Sequence, residues 1–286
     1  MRSWESLGGM GKTALGVARV RAEESRRLDR LFDDPYAQAF LEAAPGAFSE
    51  EERAVSGGLS SSGALAALGT AFYLHGVIRT RFFDDYLLTA CVAGCHQVVL
   101  LAAGLDARAF RLDWPPAVRL FEIDLPEVLA FKEEVLGGQG AVQRCERTVV
   151  PADLREDWTT RLTAAGLRPS EPTAWLAEGL LIYLSAEEAA RLLAAVGRLS
   201  APGSSLSFER GDLADATLLA EARQVPAMDE YTALWKGGLG EDAPEWLAKH
   251  GWRTQTHDLA AVAASYGRPA PGSAGGDFLT ALRAST

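Results

Sequence analysis

Cysteine and histidine are scarce in this sequence of 286 residues, with three and four copies. Three cysteines cannot all pair with one another. Cys91-Val92-Ala93-Gly94-Cys95-His96 has three residues between its cysteines where haem attachment has two, and no second ligand cluster follows. Positions four apart share a helix face, so Cys91 and Cys95 read as two small buried thiols, and no metal site is expected. Positive charge is also in deficit. There are 28 Lys and Arg against 38 Asp and Glu, a net charge of −10 and an isoelectric point near 5.0. A nucleic-acid partner would want a basic stripe, so none is expected. No run of about 18 apolar residues occurs, so no membrane span is expected. Residues 1–12 lack the apolar core of a signal peptide, which makes a cytoplasmic location the expectation. Neither repeat nor linker divides the chain. With 48% hydrophobic and 23% charged residues it reads as one elaborated domain over 1–286.

A phosphate loop is imitated but incomplete. Gly8-Gly9-Met10-Gly11-Lys12-Thr13 has Ser6 where the pattern wants its first glycine, and Arg2-Ser3-Trp4-Glu5 is a poor preceding strand. Thr13 is instead expected to cap a helix over 14–28. That helix mixes Arg19, Arg21, Arg26 and Arg27 with Glu23 and Glu24, as a solvated helix face does.

What is present is the signature of a nucleotide-binding sheet at 97–124. Val98-Val99-Leu100-Leu101 suits a strand buried on both faces. It runs into Ala102-Ala103-Gly104, small residues that let a ligand approach the backbone. Asp106 can cap a short helix over 107–112. A second strand over 118–123 ends in Asp124. A carboxylate about 20 residues past the glycine turn is where such a sheet places its ribose-hydroxyl acceptor. The dinucleotide fingerprint needs three glycines. Here Ala103-Gly104-Leu105-Asp106-Ala107-Arg108 has one, and Asp106 sits where a diphosphate would be repelled. A nucleoside without phosphates, such as S-adenosylmethionine (SAM), fits better. An ordinary strand-turn-helix with an exposed acid is the competing account.

The rest of the chain alternates in the same way. A third strand, 147–150, leads to Asp153-Leu154. An acid there can accept from an adenine amino group, with Leu154 against the ring; Asp153 can equally cap the next helix. A fourth strand, 173–177, ends in Glu178-Gly179, and ligands lie beyond such strand ends in open α/β sheets. Ser185-Ala186-Glu187-Glu188 is a capping box. A fifth strand covers 203–208. Residues 212–240, with Met228, Tyr231, Leu234 and Trp235 near helical spacing, read as an insertion that caps the sheet. Residues 54–63 read as a Gly/Ser loop and part of a lid. Separate helices are expected over 64–78, carrying His75, and over 82–93. A helix over 244–250, a strand over 252–257 and a loop over 264–276 precede a last strand over 277–282.

Four runs carry a resemblance. They are Arg79-Thr80-Arg81-Phe82-Phe83-Asp84-Asp85-Tyr86, Ala103-Gly104-Leu105-Asp106-Ala107-Arg108, Phe121-Glu122-Ile123-Asp124-Leu125-Pro126 and Ala177-Glu178-Gly179-Leu180-Leu181-Ile182-Tyr183-Leu184. In this order the sequence resembles the actinobacterial SAM-dependent methyltransferases of the leucine carboxyl methyltransferase superfamily, from Thr13 to near Arg268. The resemblance implies a doubly wound, seven-stranded α/β sheet of the Rossmann-like type. An α-helical cap comes from 1–78 and from the insertion at 212–240. It implies SAM as cofactor, with Gly104 and Asp124 beside it and Asp153-Leu154 at the adenine. It puts Arg79 on the SAM carboxylate, which a guanidinium can hold by two parallel bonds. A salt bridge from Arg79 to Asp84 or Asp85 is the competing account, and Arg81 is read as structural. Arg19 or Arg21 could meet the same carboxylate. Glu178 falls beside the sulfonium and amino end of SAM. Tyr183 is the candidate catalytic residue, contacting the acceptor or simply packing.

The function expected is methyl transfer from SAM to an oxygen of a small molecule, with a carboxylate as first choice. A carboxylate is already ionised at neutral pH and needs no base. A phenolic or hydroxyl acceptor would need one, and His75, His250, His257 and Tyr183 are the candidates. Two alternatives belong to other classes: a SAM-binding protein without catalysis, and a nicotinamide oxidoreductase on the same sheet. The missing glycines count against the second.

Overall fold

The computed structural model describes residues 4–48, 64–210, 234–271 and 277–284. The expected lid at 54–63 and most of the cap insertion at 212–240, with Met228 and Tyr231, lie outside them.

Seven strands form one sheet: β1 (Gln97–Leu101), β2 (Arg119–Asp124), β3 (Glu146–Pro151), β4 (Thr173–Ala177), β5 (Ser205–Arg210), β6 (Trp252–Asp258) and β7 (Asp277–Arg283). Their order is β3-β2-β1-β4-β5-β7-β6. The first five pair in parallel, and β7 runs antiparallel to both β5 and β6. The chain steps outward from β1 to β3, then returns to lay β4 on the other side of β1. A crevice opens at that reversal, beyond the C-terminal ends of β1 and β4.

Burial explains the central strands. Every residue of β1 and β4 is buried, as a parallel strand covered on both faces requires. Alternate side chains feed two separate clusters. Val98, Leu100, Leu120 and Leu176 pack with Leu15, Phe40, Phe83 and Phe131 on one face. Val99, Leu101, Ile123 and Trp175 pack with Trp158, Leu162, Leu192 and Val196 on the other. Helices α1 (Gly8–Ser25), α2 (Ala37–Glu42), α3 (Ala64–Val92), the short α4 (Arg108–Arg111) and α5 (Pro126–Gly138) supply the first layer. The second comes from α6 (Trp158–Ala164), α7 (Ala186–Arg198) and α8 (Ala243–Lys249), while α9 (Leu259–Ser265) packs against α3.

Several local expectations change. Helix α1 begins at Gly8, so Thr13 lies inside it and is not its cap. The two helices expected around Arg79 are one continuous α3 of 29 residues. No proline interrupts 64–92, and Gly76 serves contact: a Cβ there would come 3.0 Å from Val20 Cγ1 on α1. Helix α9 fills 259–265, a stretch with no expected element, and ends as the loop expected over 264–276 begins. The capping box at Ser185 and Glu188 forms with both reciprocal bonds.

Candidate active site

The crevice holds a cavity of about 130 Å³. The turn after β1 forms its floor. Ala102 and Gly104 both have positive φ, +52° each, so the chain curls tightly between Leu101 and Leu105. This conformation suits glycine and strains alanine. Asp124, at the end of β2, braces the turn: its Oδ2 accepts from the Gly104 N–H at 2.6 Å and its Oδ1 from the Leu125 N–H at 2.7 Å. Burial raises the Asp124 carboxyl above its ordinary range, and these two N–H groups oppose the shift. A carboxylate has about four lone-pair sites, so two remain for a ligand.

Glu178, just past β4, stands opposite. Three arginines converge on it. Arg21 Nη2 from α1 and Arg79 Nε from α3 donate to Oε1 at 3.2 and 3.1 Å. Arg108 Nη1 from α4 donates to Oε2 at 2.7 Å. Burial alone would raise Glu178, but Arg108, Arg21 and Arg79 hold it ionised well below the usual range. Arg108 is the hub. It is fully buried and also donates to Asp84 Oδ1 at 2.6 Å, to Asp106 Oδ2 and to the Thr80 carbonyl at 3.3 Å. Arg111 grips both oxygens of Asp84 at 2.7 Å each. This mutual pairing is the condition for burying so many charges.

The structure therefore gathers Arg79, Gly104, Asp124, Glu178 and Tyr183 around one cavity, with Thr13, Val17 and Arg21 of α1 also lining it. Asp153 and Leu154 are not among the lining residues. They follow the edge strand β3, and Asp153 accepts from the Arg155 N–H at 2.9 Å and from its guanidinium. Asp153 does not cap α6 either; Asp157 does, accepting from the Thr160 N–H at 3.2 Å. Asp106 does not cap α4, whose N-cap is Ala107. It accepts the Arg108 N–H at 2.7 Å and stands 3.9 Å from Arg21. It is thus a neutralised acid, not an exposed one. Arg79 pairs with Glu178 and Glu209, not with Asp84 or Asp85. Arg81 bonds Asp85 Oδ2 at 3.0 Å and the Leu31 carbonyl at 2.9 Å, away from the cavity.

The histidines lie elsewhere. His250 stacks on Trp246, and His257 Nε2 lies 2.9 Å from Thr280 Oγ1. His75 stacks on Phe278 and is pushed down to about 3, first by burial and then by the Arg79 charge. Burial also raises Tyr183, against contacts with Thr13 and Trp235.

Two participants had no assigned role from the sequence. Arg108 stands in a motif but was given no task. Glu209 is the penultimate residue of β5, as Asp124 is the last of β2 and Glu178 follows β4; an acid near a strand's C-terminal end was the available signal. Glu209 Oε1 accepts from Arg79 Nη1 at 3.2 Å and from the Gly179 N–H. One further observation bears on ligand fit. Arg21 Nε is buried on the cavity side of α1 without a hydrogen-bond partner. An unpaired guanidinium donor suits a ligand that brings an anionic oxygen, as the methionine carboxylate of SAM does.

The leucine carboxyl methyltransferase family matches residues 14–197 by its sequence profile. A protein of Frankia alni, provisionally named an S-adenosyl-L-methionine-dependent methyltransferase, is 55% identical over 98% of this chain and 96% of its own. One of Saccharopolyspora erythraea with the same provisional name is 43% identical over 98% of both chains. Among solved structures, a DUF574 family protein of Streptomyces avermitilis has a TM-score of 0.62 at 17% identity, over 90% of this chain and 97% of that one. The magnesium protoporphyrin IX methyltransferase of Synechocystis with bound SAH has a TM-score of 0.50 at 13% identity, over 82% and 93%. These two establish likeness of fold. The chain belongs to the leucine carboxyl methyltransferase family and is a SAM-dependent methyltransferase. Among the described residues no helix is long and apolar enough to cross a membrane, and no group of three or more side chains could hold a metal ion.

Proposed function

We propose that the chain methylates the carboxylate of a small molecule. The observation that carries this reading is the protonation chemistry around the cavity. Glu178 and Asp106 are held ionised, but arginines occupy their oxygens. Tyr183 is kept protonated, and His75, at about 3, is a poor base. A phenol or alcohol needs a group to take its proton in the transition state. A carboxylate, with a pKa near about 4, needs none.

In this reading Arg79 and Arg21 hold the methionine carboxylate of SAM. Gly104 gives close approach, and Asp124 keeps two lone-pair sites for ribose hydroxyls. Glu178 offsets the cationic end. Asp153 and Leu154, one strand beyond Asp124, serve the adenine. Bound SAM supplies an electrophilic methyl group. Tyr183 touches the acceptor and helps to hold it in line, while apolar walls at Leu101, Leu176 and Leu180 exclude water.

The product tests the reading directly. With methyl-labelled SAM and a set of small carboxylic acids, the labelled product should release methanol on mild alkaline treatment. A base-stable product would overturn the carboxyl assignment. One observation favours a hydroxyl acceptor as second reading: Glu209, raised by burial, keeps Oε2 without a partner and could act as a base. That reading expects E209Q to lose about 10²–10⁴-fold in turnover.

A further inference from the structure

Glu209 and Glu178 share one guanidinium. Arg79 Nε donates to Glu178 and Arg79 Nη1 to Glu209, at 3.1 and 3.2 Å. The two acids are not equally secured. Glu178 keeps Arg21 and Arg108 if Arg79 leaves it. Glu209 has Arg79 as its one bonded cation among the described residues, plus the Gly179 N–H. Its Oε2 is buried and unpartnered, and its side chain is 13% exposed.

We propose that Glu209 is the counter-ion that a ligand carboxylate replaces on Arg79, so that binding of the carboxylate-bearing cofactor takes up one proton at Glu209. This rests on the placement of the SAM carboxylate at Arg79 given above. When an incoming carboxylate takes the Nη1 donor, Glu209 retains backbone N–H groups but no cation. It then lies buried beside two like charges, Glu178 and the ligand. Burial and like charge both favour the neutral acid. The proton comes from the buffer and binds Glu209, whose Oε2 is free to receive it; no other bond changes.

The surrounding groups leave Glu209 as the one to titrate. From α3, Arg79 stays charged, and His75, at about 3, is neutral before and after. Glu178, past β4, stays ionised on its remaining arginines. Tyr183, on the turn before α7, already holds its proton. On β5 and β7, Arg210 and Asp277 bond each other at 2.8 Å. Burial already raises Glu209, with Arg79 opposing, so the loss of Arg79 releases that shift.

Isothermal titration with S-adenosylhomocysteine near neutral pH, in buffers of different ionisation enthalpy, counts the protons. Wild type should take up about one proton per ligand, and E209Q about none. Affinity of wild type should then fall by up to about tenfold per pH unit on the alkaline side, while E209Q stays flat. In that range E209Q should bind the ligand several-fold more tightly than wild type, because nothing competes for Arg79. A residue that merely propped the site would give weaker binding at every pH and the same slope. Decarboxylated SAM should take up no proton in either protein. Binding by wild type without proton uptake, or equal uptake in E209Q, overturns the counter-ion role and leaves the cofactor reading standing. Failure of wild type to bind SAM or S-adenosylhomocysteine at all overturns both.

Discussion

Asp124 uses both carboxylate oxygens on backbone N–H groups and still faces the cavity. Asp124→Ala removes the brace of the Gly104 turn and a charge-assisted acceptor, a class of bond worth about 1.5–3 kcal/mol. SAM affinity should fall about tenfold to a hundredfold by isothermal titration, and the two orphaned N–H groups should lower the thermal midpoint as well. Unchanged affinity would remove Asp124 from the binding site. Arg79 makes the sharper case. Lysine keeps the charge but not the fork that reaches Glu178 through Nε and Glu209 through Nη1. Arg79→Lys should weaken binding of SAM and S-adenosylhomocysteine alike, and Arg79→Ala should weaken both further. If wild type binds decarboxylated SAM as tightly as SAM, the carboxylate does not sit on Arg79. The pairing of Asp124 with the Gly104 turn was legible because spacing along two consecutive strands is local. Arg79's partners were not, because Glu178 and Glu209 lie 99 and 130 residues away.

At the scale of elements, the segment after β4 is tuned twice. Gly179 has φ +63°, and a Cβ there would lie 3.7 Å from both Arg79 Nη1 and Glu209 Oε1. The space is ordinary; the backbone is not, and a non-glycine residue in such a conformation costs about 1–3 kcal/mol. Gly179→Ala should lower stability by that amount in denaturant melts, and an unchanged midpoint would refute the strain argument. A few residues on, Ser185 and Glu188 cap α7. Ser185→Ala should cost about 1 kcal/mol and leave SAM affinity unchanged. The capping box was readable because its parts are three residues apart. The continuity of α3 was not: its polar Arg79-Thr80-Arg81 step resembles a break until Glu178, Glu209 and the Leu31 carbonyl supply partners for it.

Over the whole molecule, the acidic balance of the sequence hides an interior that needs its cations. Glu178 and Asp106 are held below their unfolded values of about 4.3 and 3.9. A depressed acid contributes stability that is fully present above its unfolded value and is lost as pH falls toward its folded one. The stability gap between wild type and Glu178→Gln should therefore be constant near neutrality and shrink below about pH 4.5. A gap independent of pH down to about 3 would contradict the triple pairing of Glu178. Turnover probes the same molecule differently. For a carboxylate acceptor at saturating substrates, the rate should be nearly flat from about pH 6 to 9. His75→Ala, His250→Ala and His257→Ala, made singly, should each stay within about tenfold of wild type. A loss of about 10²–10⁴-fold in one, with folding and SAM affinity intact, would point to a hydroxyl acceptor.

The sequence by itself determined the sheet and its crevice. Hydrophobic runs such as 98–101 and 173–177 specify strands locally, and small residues and acids at their ends mark where the crevice opens. The last strand was equally legible, but its antiparallel direction followed from the family resemblance. Tertiary structure decided what each charged group does. Arg108, Arg21 and Glu209 acquire their roles only when α1, α3, α4, β4 and β5 are brought to one point. There, low dielectric makes every buried charge choose a partner, and that choice depends on distances that no local pattern encodes.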